Sequence, residues 1–176
     1  VNPGESGGGK ETNGIDDDGN GYVDDVHGIN AIANSGDPKD DHGHGSHCSG
    51  TITGSGNNGI GVAGVAWNAK IMALKFLAPE GGGTYSDAIK GIEYARLKGV
   101  HLTSNSWGGG AESAPLQDAI TDAVDAGQLF VAAAGNETNN NDLAATYPCN
   151  YPLKNIISVP ATDRNDAIAY FSNYGL

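Results

Sequence analysis

The feature that most constrains this chain is the alternation, over residues 69–161, of short apolar runs with segments of helical period. Residues 69–77 (Ala-Lys-Ile-Met-Ala-Leu-Lys-Phe-Leu) form a mostly apolar run, short enough for a buried strand. Gly81-Gly82-Gly83 turns the chain, and Thr84 can cap a helix to about residue 98, with Ala88, Ile89, Ile92 and Ala95 at helical spacing and Lys98-Gly99 as its stop. Residues 100–107 predict a strand ending in Gly108-Gly109-Gly110. A second helix over about 113–126 places Leu116, Ile120, Ala123 and Val124 on one side before Gly127 ends it. Residues 128–134 and 155–161 predict two further strands. Strand, helix, strand, helix, strand is the order of a parallel α/β sheet flanked by helices.

In such sheets ligands bind beyond the carboxyl ends of the strands. Ser106-Trp107-Gly108 and Gly135-Asn136-Glu137 fall there. No Gly-x-Gly-x-x-Gly opens a helix after a strand and no Walker loop is present, so a nucleotide site has little support.

A second dense signal is His42-Gly43-His44-Gly45-Ser46-His47-Cys48-Ser49-Gly50, preceded by Asp40 and Asp41. It predicts a loop entering a helix, with a titratable histidine at the junction. Three readings stay open from spacing alone: a general base, a metal ligand, or a structural histidine. His44 and His47 are three apart and share a helix face, whereas zinc-peptidase motifs space histidines four apart with a Glu between.

The densest acidic cluster is Asp16-Asp17-Asp18-Gly19-Asn20-Gly21-Tyr22-Val23-Asp24-Asp25. Asp16, Asp18, Asn20, Gly21 and Asp24 take positions one, three, five, six and nine of an EF-hand-like loop, with the Tyr22 carbonyl at seven. Position twelve is His27 in place of the bidentate Glu, so the expectation is a truncated calcium loop, set against a plain solvated acidic turn. The charge balance agrees: nine Lys and Arg against 21 Asp and Glu give a net charge of −12. That charge favours a cation partner and opposes non-specific nucleic-acid binding. No run approaches the roughly 20 apolar residues of a membrane helix. Cys48 and Cys149 lack metal-site spacing; one bridge between them is conceivable, and Cys48 reads more simply as a small buried thiol.

Val1-Asn2-Pro3-Gly4 carries no charged segment followed by an apolar run, so no signal peptide is expected within the chain. The opening Gly-rich loop and the end at Gly175-Leu176 suggest an internal segment of something longer. The expected organisation is one partial domain over 1–176, with residues 1–28 a loop holding the calcium site and 29–176 the sheet and helix core.

Taken in order, three blocks resemble the subtilisin-like serine proteases (subtilases). His44-Gly45-Ser46-His47-Cys48-Ser49-Gly50-Thr51 is similar to the family's His-Gly-Thr-His-x-Ala-Gly-Thr block. Asn105-Ser106-Trp107-Gly108-Gly109 resembles its substrate-binding strand, and Val131-Ala132-Ala133-Ala134-Gly135-Asn136-Glu137 its oxyanion segment. Tyr147-Pro148, a cis bond in the family, and Phe171-Ser172-Asn173-Tyr174-Gly175 extend the likeness.

The resemblance implies a three-layer αβα fold with a mainly parallel sheet, incomplete at both ends. It implies His44 as general base and Asn136 as oxyanion donor. Ser106, Trp107, Gly108 and Gly135 would bind an extended polypeptide, Glu137 would floor the primary specificity pocket, and His42 would line the adjacent one. It also implies a secreted, monomeric parent. Two blocks of the family pattern are not found: an apolar strand ending in Asp-Ser/Thr-Gly, and the Gly-Thr-Ser-Met-Ala block of the nucleophile. Asp18-Gly19 follows a polar segment and is not assigned to the first. The chain alone is therefore expected to be inactive. A non-catalytic peptide-binding or complementing half, and a metal hydrolase using His42, His44 and His47, are the alternatives.

Overall fold

The computed structural model describes residues 1–176, which form two compact units, Val1–Gly91 and Ile92–Leu176.

Polar side chains bound to backbone organise the first unit. Its opening residues are not loop throughout: two short 3-10 turns, Pro3–Glu5 and Lys10–Thr12, interrupt them. Pro3 presets the first turn, and the Asn2 side chain caps it by accepting from the Gly4 N–H. The Asn2 amide donates to buried Asp25 at 2.7 Å, and Asn20 donates to the other Asp25 oxygen at 2.8 Å. A fully buried carboxylate is tolerated here because it is hydrogen-bonded.

A short strand, β1 (Gly28–Asn30), pairs in parallel with β2 (Ala73–Lys75). Gly28, at φ 133°, lies so close to the Ala73 carbonyl that any side chain would collide with it. The 69–77 run thus yields only three strand residues, and its partner is β1, which the apolar pattern does not mark. Between them lies α1 (His44–Thr53), which buries none of its residues. Its open C-terminal carbonyls are satisfied by the chain doubling back, with Val65 N–H donating to Thr51 O and Ala66 N–H to Ile52 O. From α2 (Tyr85–Leu97), Ala88 is buried in this unit and Lys90 donates to the Ala31 carbonyl and to Asn34.

The second unit is built on apolar packing. Strands β3 (Leu102–Asn105), β4 (Leu129–Ala133) and β5 (Ile156–Val159) form a parallel sheet in that order, with Leu102 opposite Leu129 and Phe130 opposite Ile156. Helix α3 (Ala114–Asp125) buries Leu116, Ala119, Ile120 and Ala123, a single face at spacings of three and four. Full burial of Leu116 and Ile120 contributes about 1.5–3 kcal/mol each. The last turns of α2 add Ile92, Tyr94 and Ala95 to the core. Buried Gln128 donates to the Ala95 and Val100 carbonyls, tying the start of β4 to the end of α2. The architecture is α/β with parallel sheets, as the strand and helix order predicts.

Candidate active site

His44 is the first residue of α1. The preceding Gly43 takes a left-handed conformation (φ 97°) that turns the chain into the helix. The turn is locked by Asp40. One of its carboxylate oxygens accepts from the His42 and Gly43 N–H groups at 3.0 and 2.9 Å; the other accepts from the Ser46 N–H and hydroxyl at 2.8 and 2.7 Å. The Ser46 hydroxyl, followed by the backbone donors, holds the Asp40 carboxyl well below the usual carboxylate range. The helix N-terminus favours that negative charge as well.

The His44 ring is exposed, with the Cys48 sulfur 3.9 Å from its Nε2 and the His42 ring edge-on at 6.4 Å. Cys48 is half-buried, not buried as its residue type suggested, because α1 lies at the surface. Cys149 is buried, and burial pushes its thiol up; both cysteines are free. His42, His44 and His47 do not bring three ligand atoms within 4.8 Å of one another.

In the second unit, the carboxyl ends of β3 and β4 open onto one cavity. Its walls are Ser106, Trp107, Gly108 and Gly109 from beyond β3, Gly135, Asn136 and Glu137 from beyond β4, and Thr146. Every residue of this unit expected to bind substrate or an oxyanion lines it. Ser106 and Gly108 are exposed, while half-buried Trp107 packs edge-on against Phe130 and donates its indole N–H to Asn105. Trp107 is thus partly a core residue that fixes the 106–109 segment. Gly109 N–H donates to the Tyr147 carbonyl, next to the cis Tyr147–Pro148 bond.

Sequence reasoning missed the residue that holds the far wall, Asn173. It is fully buried. Its side-chain oxygen Oδ1 accepts from the Glu137 and Asn139 N–H groups, and its side-chain amide donates to Glu137 Oε2, Asn141 and Thr146. Glu137 Oε2 also accepts from the Asn136 N–H at 2.9 Å. Gly135 (φ 122°) allows this, since a side chain there would strike Asn173 and Glu137. The only signal was membership in the Phe171–Gly175 block, which does not show what a neutral amide touches.

In the acidic cluster the carboxylates and Asn20 bind backbone N–H groups of the same loop. Asp16 accepts from the Asn20 and Gly21 N–H groups, and Asn20 accepts from the Tyr22 N–H. The Asp24 carboxylate faces the Gly14 N–H at 3.1 and 3.3 Å. The group whose ligand atoms do converge, all within 4.8 Å, is Asp16, Asp18 and Glu5. Glu5 is fully buried, and its Oε2 has no hydrogen-bond partner. An all-carboxylate set with an orphaned buried oxygen fits a hard cation such as calcium.

A family profile described as the Subtilase family matches residues 8–176. The chain is 39% identical over 150 residues to thermitase of Thermoactinomyces vulgaris, an alignment covering 85% of this chain and 52% of that protein. It is 41% identical over 137 residues to subtilisin Savinase of Lederbergia lenta, covering 78% and 49%. Among solved structures, a cold-adapted subtilisin-like serine proteinase superposes with a TM-score of 0.74 at 32% identity, covering 89% of this chain and 53% of that one. The chain thus spans about half the length of these relatives. No helix is long and apolar enough to cross a membrane.

Proposed function

Because this chain belongs to the subtilase family, we propose that it forms part of the single peptidase domain of a secreted, monomeric serine endopeptidase that cleaves extended polypeptides. The observation that carries the reading is the cavity beyond β3 and β4, where Ser106, Trp107 and Gly108 face Gly135, Asn136 and Glu137. An extended peptide adds as a strand to the 106–108 segment, matched backbone to backbone, with its side chains alternating between pocket and solvent. A serine hydroxyl attacks the scissile carbonyl carbon while the His44 imidazole removes its proton. The carbonyl oxygen becomes an oxyanion, to which the Asn136 side-chain amide donates. Collapse breaks the C–N bond, His44 returns the proton to the leaving amine, and water hydrolyses the acyl-enzyme by the same steps.

Asp40 is a positioning residue for His44, and Asn173 for Asn136 and Glu137. His42 is assigned to substrate binding as well. A calcium ion held by the acidic segment that contains Asp16 and Asp18 serves stability, not the reaction. The block that would carry the nucleophile does not occur among these 176 residues, so the polypeptide alone is inactive.

The test is hydrolysis of a chromogenic peptide by the full-length protein, with labelling by a serine-directed phosphonate. Turnover blocked by the phosphonate supports the reading; phosphonate-insensitive turnover abolished by a zinc chelator, or peptide binding without turnover, overturns it. Profiling on a peptide library reads the Glu137 assignment: Glu137→Gln lowers cleavage after basic side chains, and indifference removes that role.

A further inference from the structure

We propose that Glu5, Asp16 and Asp18 together form a calcium site that ties the N-terminal turn to the acidic loop, an inference that rests on, and relocates, the calcium ion proposed for the acidic segment. Glu5 ends the Pro3–Glu5 turn, eleven residues before the cluster, and belongs to no loop motif.

Its two oxygens are treated differently. Oε1 accepts from the Asp18 N–H at 3.0 Å, which orients the carboxyl toward the loop. Oε2 is buried without a partner, and it is the only carboxylate oxygen in the molecule in that position; the other buried, unpartnered side-chain atoms belong to Arg96, Gln128 and Asn155. A buried acceptor of this kind is costly unless something fills its coordination. Lys10, the cationic side chain of the adjoining turn, donates to the Gly4 carbonyl and leaves Oε2 unengaged.

The surroundings are preset. Asp16 is pinned by the N–H groups of Asn20 and Gly21, and Asp18 accepts from the Asn2 amide. Each carboxylate oxygen so engaged keeps a second lone pair for a cation. Gly4 lies against the Asp18 carboxylate so closely that a methyl group there would displace it. Hard oxygens in an irregular cage suit calcium, which accepts six to eight ligands flexibly, better than magnesium, which demands near-ideal octahedral geometry. Asp24, on the Gly14 N–H, stands outside this set.

The full-length protein, stripped of divalent ions with a chelator, is titrated with calcium chloride by calorimetry, and its thermal midpoint is followed in parallel. Glu5→Gln preserves shape and should weaken one site at least tenfold and reduce the calcium-induced rise in Tm; Gly4→Ala should do the same by displacing Asp18, and decides the matter if Glu5→Gln does not fold. Asp24→Asn, which keeps an acceptor for Gly14 and tolerates the positive φ of 52°, should leave affinity within about twofold. The opposite pattern, loss in Asp24→Asn with Glu5→Gln and Gly4→Ala unchanged, overturns the Glu5 site and keeps calcium in the 16–24 loop. A titration that none of these variants nor Asp16→Asn alters overturns both.

Discussion

At the start of α1 a half-buried carboxylate fixes the backbone that presents His44, whereas beyond β4 a fully buried neutral amide fixes the backbone that presents Asn136 and Glu137. Asp40 makes four hydrogen bonds in contact with water, so its contribution is modest and titratable. Asn173, itself fully buried, makes five, and without it buried Asn141 and the half-buried 139 and 146 positions lose partners. The contrast shows that the two halves of the proposed machinery fail differently. The histidine turn loosens with acid, and the oxyanion wall loosens only with loss of packing.

The largest effect is expected where the buried wall is anchored. Phe130→Ala empties the core beneath Trp107 and should cost about 3–5 kcal/mol in a urea titration. A loss below 1 kcal/mol would mean that the β4 platform is not set by this packing. Asn173→Ala follows, at about 1–3 kcal/mol, because the Glu137 and Asn139 N–H groups lose the acceptor that a buried side chain gives them. Should it prove neutral, water would be reaching the wall and the contrast with Asp40 would fail.

Asp40→Asn should show the smallest effect, confined to pH dependence. The folded Asp40 carboxyl lies below its ordinary value near 4. The unfolded chain therefore binds its proton first as pH falls, so the stabilisation is present above about pH 4 and is lost on further acidification. The Tm gap between the native protein and Asp40→Asn should be present at pH 6 and close below pH 4. A gap constant across that range would detach the carboxylate from the turn.

The same contrast decides what the sequence discloses. Apolar period exposes α2, α3 and strands β3 to β5, because the second unit is held by side chains that must face inward. It also places Ser106–Gly108 and Gly135–Glu137 at strand ends, which is why both walls of the cavity are legible. The first unit is held by Asn and Asp side chains on backbone N–H groups, and these leave no periodicity. β1 escapes notice because it is three residues long with Ile29 as its one large apolar residue. Asn173 and Glu5 act on residues 36 and 13 positions away by geometry alone. The EF-hand-like spacing is present in the sequence, but it does not disclose that Asp24 accepts from the Gly14 N–H ten residues earlier.

The most direct test of the central claim is the kinetics of peptide hydrolysis by the full-length protein and its His44→Ala and Asn136→Ala variants. His44→Ala should reduce kcat to near background, and Asn136→Ala should lower kcat by roughly 10²–10³, a range that itself comes from subtilisin, with KM little changed. Full activity in His44→Ala, or an Asn136→Ala variant altered in KM alone, would contradict it.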